Sequence, residues 1–281
     1  MKFSCADYTW PALSHGAVMA VVADLGFTGI DLGVFGDDTH VKLSSVIEDP
    51  AREAERLSRQ LDGAGLVAAD VFLIEGSDLE AKAPNHPDRA IREASLASFQ
   101  KTLTFAKELG APGVTVLPGV RFGEESLDQA IGRSVTELAH RVDLAMALGL
   151  RLSVEGHSGS CVETPETFAD LLERTPGLEA TLDPSHYAYA GFSAADLVPL
   201  VSRTGHVQLR PAATGMMQVR LPDNTFDLEL LIGALKDGAY SGWVATEFVW
   251  MEKWSCDRVD NTSETARLLE YLRDLGQRID Y

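Results

Sequence analysis

At 281 residues, with 45 % apolar and 23 % charged side chains, the chain is long enough to bury a large core and too mixed in composition to be disordered or fibrous. Its formal net charge of −18, from 42 acidic and 24 basic residues, sets it against nucleic-acid backbones and anionic lipid surfaces. Three cysteines, Cys5, Cys161 and Cys256, have no CxxC spacing, so they give no disulfide framework and suit a reducing compartment.

In chain order, the opening MKFSCADYTW has no long apolar stretch, so no secretory signal is expected, and no later run reaches membrane-spanning length. A cytoplasmic location is the expectation. KFSC (2–5) reads as the first strand, and the turn after it, CADYTWPALSHG, lacks the GxGxxG of a dinucleotide-binding open sheet. A segment stopping at Leu25 and Gly26 leads to a second strand, GIDLGVF (29–35), and a third follows at VAADVFLI (67–74). Leu96, Phe99, Leu103 and Ala106 recur at steps of three and four, predicting a helix over 95–109 that stops at Gly110 before the strand GVTVL (113–117). Ser126 with Gln129 predicts a capping box, opening a helix over 127–148 carried by Ile131, Val135, Leu138, Val142 and Ala145 and stopped at Gly149. RLSVEG (151–156), EATLD (179–183), HVQLR (206–210) and WVATEF (243–248) complete eight strands. Strand and helix alternating eight times predict a single domain over 1–281, a closed parallel (β/α)8 TIM barrel rather than an open doubly wound sheet.

In such a barrel the C-terminal strand ends and the loops after them form the active face. Four late strands close on an oxygen-bearing side chain: Glu155, Asp183, Gln208 and Glu247. The steps between them, 28, 25 and 39 residues, are those of successive strand–helix units, so a closed barrel brings all four to one mouth. One acidic residue at a strand end is ordinarily a solvated loop residue or a helix cap; four in register are not. Three carboxylates meeting in a partly dry site repel one another, and a divalent cation is the simplest compensation. An all-oxygen donor set suits Mn²⁺ or Mg²⁺, and the absence of a thiolate argues against structural zinc.

Other residues near these ends can serve the same site. Pro184 cannot continue a central strand, so it turns the chain and carries His186 over the ion, as a donor to a bound hydroxyl or oxyanion. The alternative for His186 is packing under a loop. His157 shares a face with Glu155 if the chain is still extended, as a catalytic acid/base or as an ordinary loop histidine. Arg210, two after Gln208, points the same way, to neutralise an enediolate or a substrate carboxylate or to form a rim ion pair. Trp10, Phe35, Phe72, Tyr187, Phe248, Trp250 and Trp254 cluster near strand ends and suggest a pocket wall.

The segments SVEGH, LDPSHY, HVQLR and ATEF resemble the xylose-isomerase-like sugar isomerase/epimerase family of (β/α)8 barrels. That family includes ketose 3-epimerases, hydroxypyruvate isomerase, inosose dehydratase and, more distantly, endonuclease IV. GFTGIDL resembles its second strand and YSGWVATEF its approach to the last one. The resemblance implies that Glu155, Asp183, Gln208 and Glu247 bind a metal, with Mn²⁺ the first choice and Mg²⁺, Co²⁺ or Zn²⁺ the alternatives. It implies that His186 contacts substrate oxygen. Many members carry histidine at the Gln208 position, although hydroxypyruvate isomerases carry glutamine. Pro211 stands where many have aspartate, and LPDN (221–224) where a glycine-rich turn is common.

The expected function is a metal-dependent isomerase or epimerase of a ketose or related keto-sugar, acting through an enediolate. Glu155 or Glu247 would move the proton, and His186 and Arg210 would bind and stabilise the oxyanion. The rivals are a lyase, dehydratase or 3-oxo-glycoside deglycosidase with His157 as base, an endonuclease IV-like nuclease, and a non-catalytic sugar-binding barrel. A small-molecule sugar is the expected partner, with no nucleic acid and no membrane; the family resemblance leaves a homo-oligomer open.

Overall fold

In the computed structural model, which describes residues 1–76 and 78–279 (277–279 by their main chain), eight parallel strands close a barrel in chain order. They are β1 (Lys2–Ala6), β2 (Gly29–Phe35), β3 (Val67–Ile74), β4 (Gly113–Val116), β5 (Arg151–Glu155), β6 (Glu179–Leu182), β7 (Thr204–Leu209) and β8 (Trp243–Thr246). Between them run α1 (His15–Asp24), α2 (Leu43–Glu48), α3 (Pro50–Ala64), α4 (Arg89–Leu109), α5 (Leu127–Ala147), α6 (Pro165–Arg174), α7 (Pro184–Ala190), α8 (Ala194–Leu197) and α9 (Leu228–Asp237), with α10 (Asn261–Ile279) after β8. Pairing of β1 with both β2 and β8 closes the cylinder, as the strand count predicted. No helix among the described residues is long and apolar enough to cross a membrane.

The local signals act as expected. Ser126 Oγ accepts the Gln129 N–H at 3.2 Å and Gln129 Oε1 accepts the Ser126 N–H at 2.8 Å, forming the capping box that opens α5. Gly26, Gly110 and Gly149 stop their helices with φ of 90°, 79° and 71°, a region that costs other residues a steric penalty. The late strands are shorter at their ends than the apolar runs suggested. β6 stops at Leu182 and β8 at Thr246, so Asp183 and Glu247 lie just beyond the ladder, while Glu155 and Gln208 lie within it. Pro184 does turn the chain, but into a helix: it sits in the first turn of α7, where its missing N–H costs nothing, and Asp183 caps that helix by accepting the Ser185 N–H at 2.8 Å.

Aliphatic and aromatic side chains fill the space between strands and helices: Ile30, Leu32, Val34, Phe99, Leu138 and Phe168 are all fully buried. Inside the cylinder the chemistry changes. Barrel interiors are ordinarily packed with branched aliphatics. Here Ser4, Asp31, Asp70, Thr115, Ser153, Thr181 and His206 are polar and have no exposure. Bonds between strands that are not neighbours cross the interior: His206 Nε2 to Asp31 Oδ2 at 2.5 Å, and Thr115 Oγ1 to Thr181 Oγ1 at 2.6 Å. Ser4 donates to Asp31, and Arg151 and Thr115 both donate to Asp70. Burial alone would depress the His206 imidazole, but the Asp31 and Asp70 carboxylates outweigh it and hold the ring above its ordinary value. This paired polar tier lies beneath the mouth, with His206 two residues before Gln208 on β7.

Candidate metal centre and active site

The structure brings Glu155, Asp183, Gln208 and Glu247 to one end of the barrel, each 4 % exposed or less. One oxygen each from Glu155, Asp183 and Glu247 lies within 4.8 Å of the other two. Strand order explains the meeting: β5, β6, β7 and β8 are consecutive neighbours, and each carries one of the four at or just beyond its C-terminal end. Burial pushes the Glu155 carboxyl well above the ordinary carboxylate range, with Glu247 and Asp183 adding repulsion. Burial likewise lifts Glu247 to about 8, although Arg210 opposes the rise. Of the four residues' oxygens, Glu155 Oε2 and Gln208 Oε1 are buried with no hydrogen-bond partner. Unpaired oxygens in a dry site are costly unless a cation or substrate meets them.

His186, on α7, lies over the carboxylates and is itself buried. Its Nε2 is 3.4 Å from Asp183 Oδ2 and 3.8 Å from Glu155 Oε1. Its Nδ1 accepts the Ser158 N–H at 3.2 Å, which places the ring proton on Nε2, facing the carboxylates. Burial drives this imidazole well below its ordinary pKa, so it is a neutral donor. His157 is no longer on a strand. Its ring packs at a tilt against His186 with centroids 4.1 Å apart, and its Nδ1 meets the Ser158 carbonyl at 2.7 Å. Burial lowers it to about 4, leaving a neutral ring with a free Nε2. Glu155, His157 and His186 form a second grouping of metal-type donors. The Nε2 proton on His186 disfavours that set against the three carboxylates.

Arg210 forms ion pairs within the site. Its guanidinium is turned inward: Nη1 meets Glu247 Oε2 at 2.5 Å, and Nη2 meets Asp183 Oδ2 at 2.9 Å. It faces the ring, with no oxygen on the cleft side among its hydrogen-bond partners. Tyr8 is a site residue that the strand-end pattern missed. Its hydroxyl donates to Glu247 Oε1 at 2.7 Å and accepts from Gln208 Nε2 at 3.1 Å. The available signal was its place just after the first strand, where the barrel's polar end begins. Ser158 was missed as well, since nothing in sequence marks a residue that orients a histidine by its own backbone.

Above the ring is a cleft of about 670 Å³, lined among others by Phe35, Ile74, Val120, His157, Met251 and Trp254. Of the clustered aromatics, Phe35 and Trp254 line it, Tyr187 and Phe248 are core residues, and Trp250 is exposed. Trp254 packs against both histidines, with centroids 5.7 Å from His157 and 5.9 Å from His186. Trp254 and Ser255 hold φ of 58° and 57°, so the loop after β8 reaches over the mouth in a strained conformation.

A closed (β/α)8 barrel with a carboxylate ring at its C-terminal mouth is the class that fold and site define. The family model for the xylose isomerase-like TIM barrel matches residues 19–275, and the chain belongs to that family. Among solved structures it is similar to a D-tagatose 3-epimerase-like protein, at 19 % identity over 99 % of this chain and 100 % of that one, TM-score 0.78. It is similar to the D-psicose 3-epimerase of Clostridium cellulolyticum H10 with D-tagatose, at 17 % identity over 98 % and 99 %, TM-score 0.75. It is also similar to the IOLI protein with a bound zinc atom, at 16 % identity over 99 % of both chains, TM-score 0.76. At these identities the likeness shows the fold. No curated protein matches the sequence.

Proposed function

We propose that the protein is a divalent-metal-dependent isomerase or epimerase of a ketose or related keto-sugar. The observation that carries this reading is the approach of Glu155, Asp183 and Glu247 oxygens to within 4.8 Å of one another, beside the unpartnered Gln208 Oε1. The donor set fits a divalent ion. Three carboxylates supply the negative charge and all donors are oxygen, which suits Mn²⁺. Glu155, Asp183, Gln208 and Glu247 would hold it. When bound, such an ion supplies Lewis acidity, making the hydrogen beside a chelated carbonyl acidic.

The chain's own residues do the rest. Glu155 removes the hydrogen as a proton, because its Oε2 has no hydrogen-bond partner, whereas Glu247 Oε1 is held by the Tyr8 hydroxyl. The neutral His186 donates its Nε2 hydrogen to the oxyanion that forms. Return of the proton by Glu155 to the neighbouring carbon gives an isomer; an epimer needs a proton delivered to the opposite face, which the Glu247 carboxyl across the ring would supply. His157 and Trp254 cover the site and limit water. The ketose substrates named for similar solved structures support the substrate class.

Deuterium uptake at the substrate α-carbon tests the proposal. With Mn²⁺ in deuterated water, a ketose panel should exchange. Exchange should stop after chelation and fall about 10²–10⁴-fold in Glu155→Gln. Turnover that survives complete metal removal would refute the reading. Loss of water or an aglycone without isomer formation would move the reaction to the lyase class.

A further inference from the structure

The carboxylate ring already contains a cation. Arg210 donates to Glu247 Oε2, to the Glu247 carbonyl oxygen at 3.0 Å and to Asp183 Oδ2, and it is 4 % exposed. Only β7 could supply such a bridge, since it lies between β6, which leads into Asp183, and β8, which leads into Glu247. Arg210 follows Gln208 by two residues on that strand's extension, so both point toward the ring. The guanidinium takes the second oxygen of each of these two carboxylates, since Asp183 Oδ1 accepts the Ser185 N–H and Glu247 Oε1 the Tyr8 hydroxyl. The oxygens left unmet are Glu155 Oε2 and Gln208 Oε1. A divalent ion held by all four residues therefore competes with Arg210 for Asp183 and Glu247. It would also sit against a like charge in a dry interior, where repulsion is strong.

We propose that Arg210 is the site's resident counter-cation and that a divalent ion binds by displacing its guanidinium from Asp183 and Glu247. This rests on the metal-dependent reading above. The guanidinium compensates the buried carboxylates while the ion is away, so the barrel mouth stays assembled without it. It also weakens the site for the ion, because entry must break two charge-assisted contacts.

Calorimetric titration with Mn²⁺ at pH 8, of the native protein and of Arg210→Met, tests the exchange. The variant should bind at least about tenfold more tightly, since both competition and like-charge repulsion are gone. If the native protein binds Mn²⁺ and the variant binds it equally or more weakly, the exchange is wrong and the functional reading stands. If neither binds, both are wrong. If the variant alone binds, Arg210 does hold the cation's place and the native protein does not work through a metal. Should Arg210→Met fail to fold, nitrogen-15 spectra of the native guanidinium keep the test open, with the Arg210 signals assigned by their loss in Arg210→Lys. Saturating Mg²⁺ or Zn²⁺ should shift or broaden them; signals unchanged at saturation overturn the proposal.

Discussion

Tyr8 shows how a single hydroxyl positions two site residues. By accepting from Gln208 Nε2 it fixes the amide and leaves Oε1 unpaired, and by donating to Glu247 it fixes that carboxylate. Burial, with Glu247 close by, holds the phenol well above its ordinary pKa, so it remains a donor. Tyr8→Phe leaves a buried acceptor on Glu247 and a buried donor on Gln208 without partners. The variant should lose about 1–3 kcal/mol of stability in urea unfolding without metal. A loss below a few tenths would mean that water replaces the hydroxyl. Gln208 is the counterpart in sequence: it is an unremarkable residue alone, and its meaning comes from standing level with three carboxylates.

At the scale of elements, two helix boundaries depart from simple sequence expectation. At the end of α9 the chain reads KDGAYSG, and glycine would be expected to take the left-handed position. Gly238 instead has φ of −75°, and the left-handed residue is Ala239 at 57°, whose N–H donates to the Lys236 carbonyl at 2.8 Å. Ala239→Gly should therefore stabilise the protein by about 1 kcal/mol, relief of the steric penalty exceeding the added chain entropy. An unchanged or lowered melting temperature would contradict the assigned backbone. The second boundary is α7, a short helix directly after β6 where a loop was expected. It matters because a helix, unlike a loop, holds His186 one turn from its cap, Asp183, and so above the ring.

For the molecule as a whole, ionisable groups sit deep in the barrel and its surroundings, and they shape its pH response. Glu75, next after β3, shows the sign most clearly. Burial raises its carboxyl from 4.5 to about 6, against help from Ser95 and Arg141, and its Oε2 has no partner. The folded state then holds this proton more tightly than the unfolded chain does. The penalty is absent below the ordinary pKa, grows as pH rises from 4.5 to about 6, and is full above that. Glu75→Gln, which keeps an oxygen for the Ser95 hydroxyl, should remove this component and raise stability at pH 7 by about 1–2 kcal/mol. Denaturation midpoints at pH 4 and pH 7 measure it; an equal effect at both would show that charge is not the cause.

The fold was legible because its signals are local and repeated. Helical periodicity around Phe99 and Leu138, the Ser126 box and the glycine stops recur with each unit, and eight units close only one way. The four strand-end oxygens were legible for the same reason, since the repeat converts spacing into position. What surrounds them was not. Tyr8 reaches Glu247 across 239 residues, and His206 meets Asp31 across 175, contacts that no window of sequence contains. The partners of the Arg210 side chain were likewise decided by tertiary structure, because the closed barrel sets carboxylates on both sides of β7. Sequence alone determined the scaffold and the four oxygens at its mouth. Tertiary structure decided which of those oxygens are free, because hydrogen bonds between distant strands depend on closure of the cylinder.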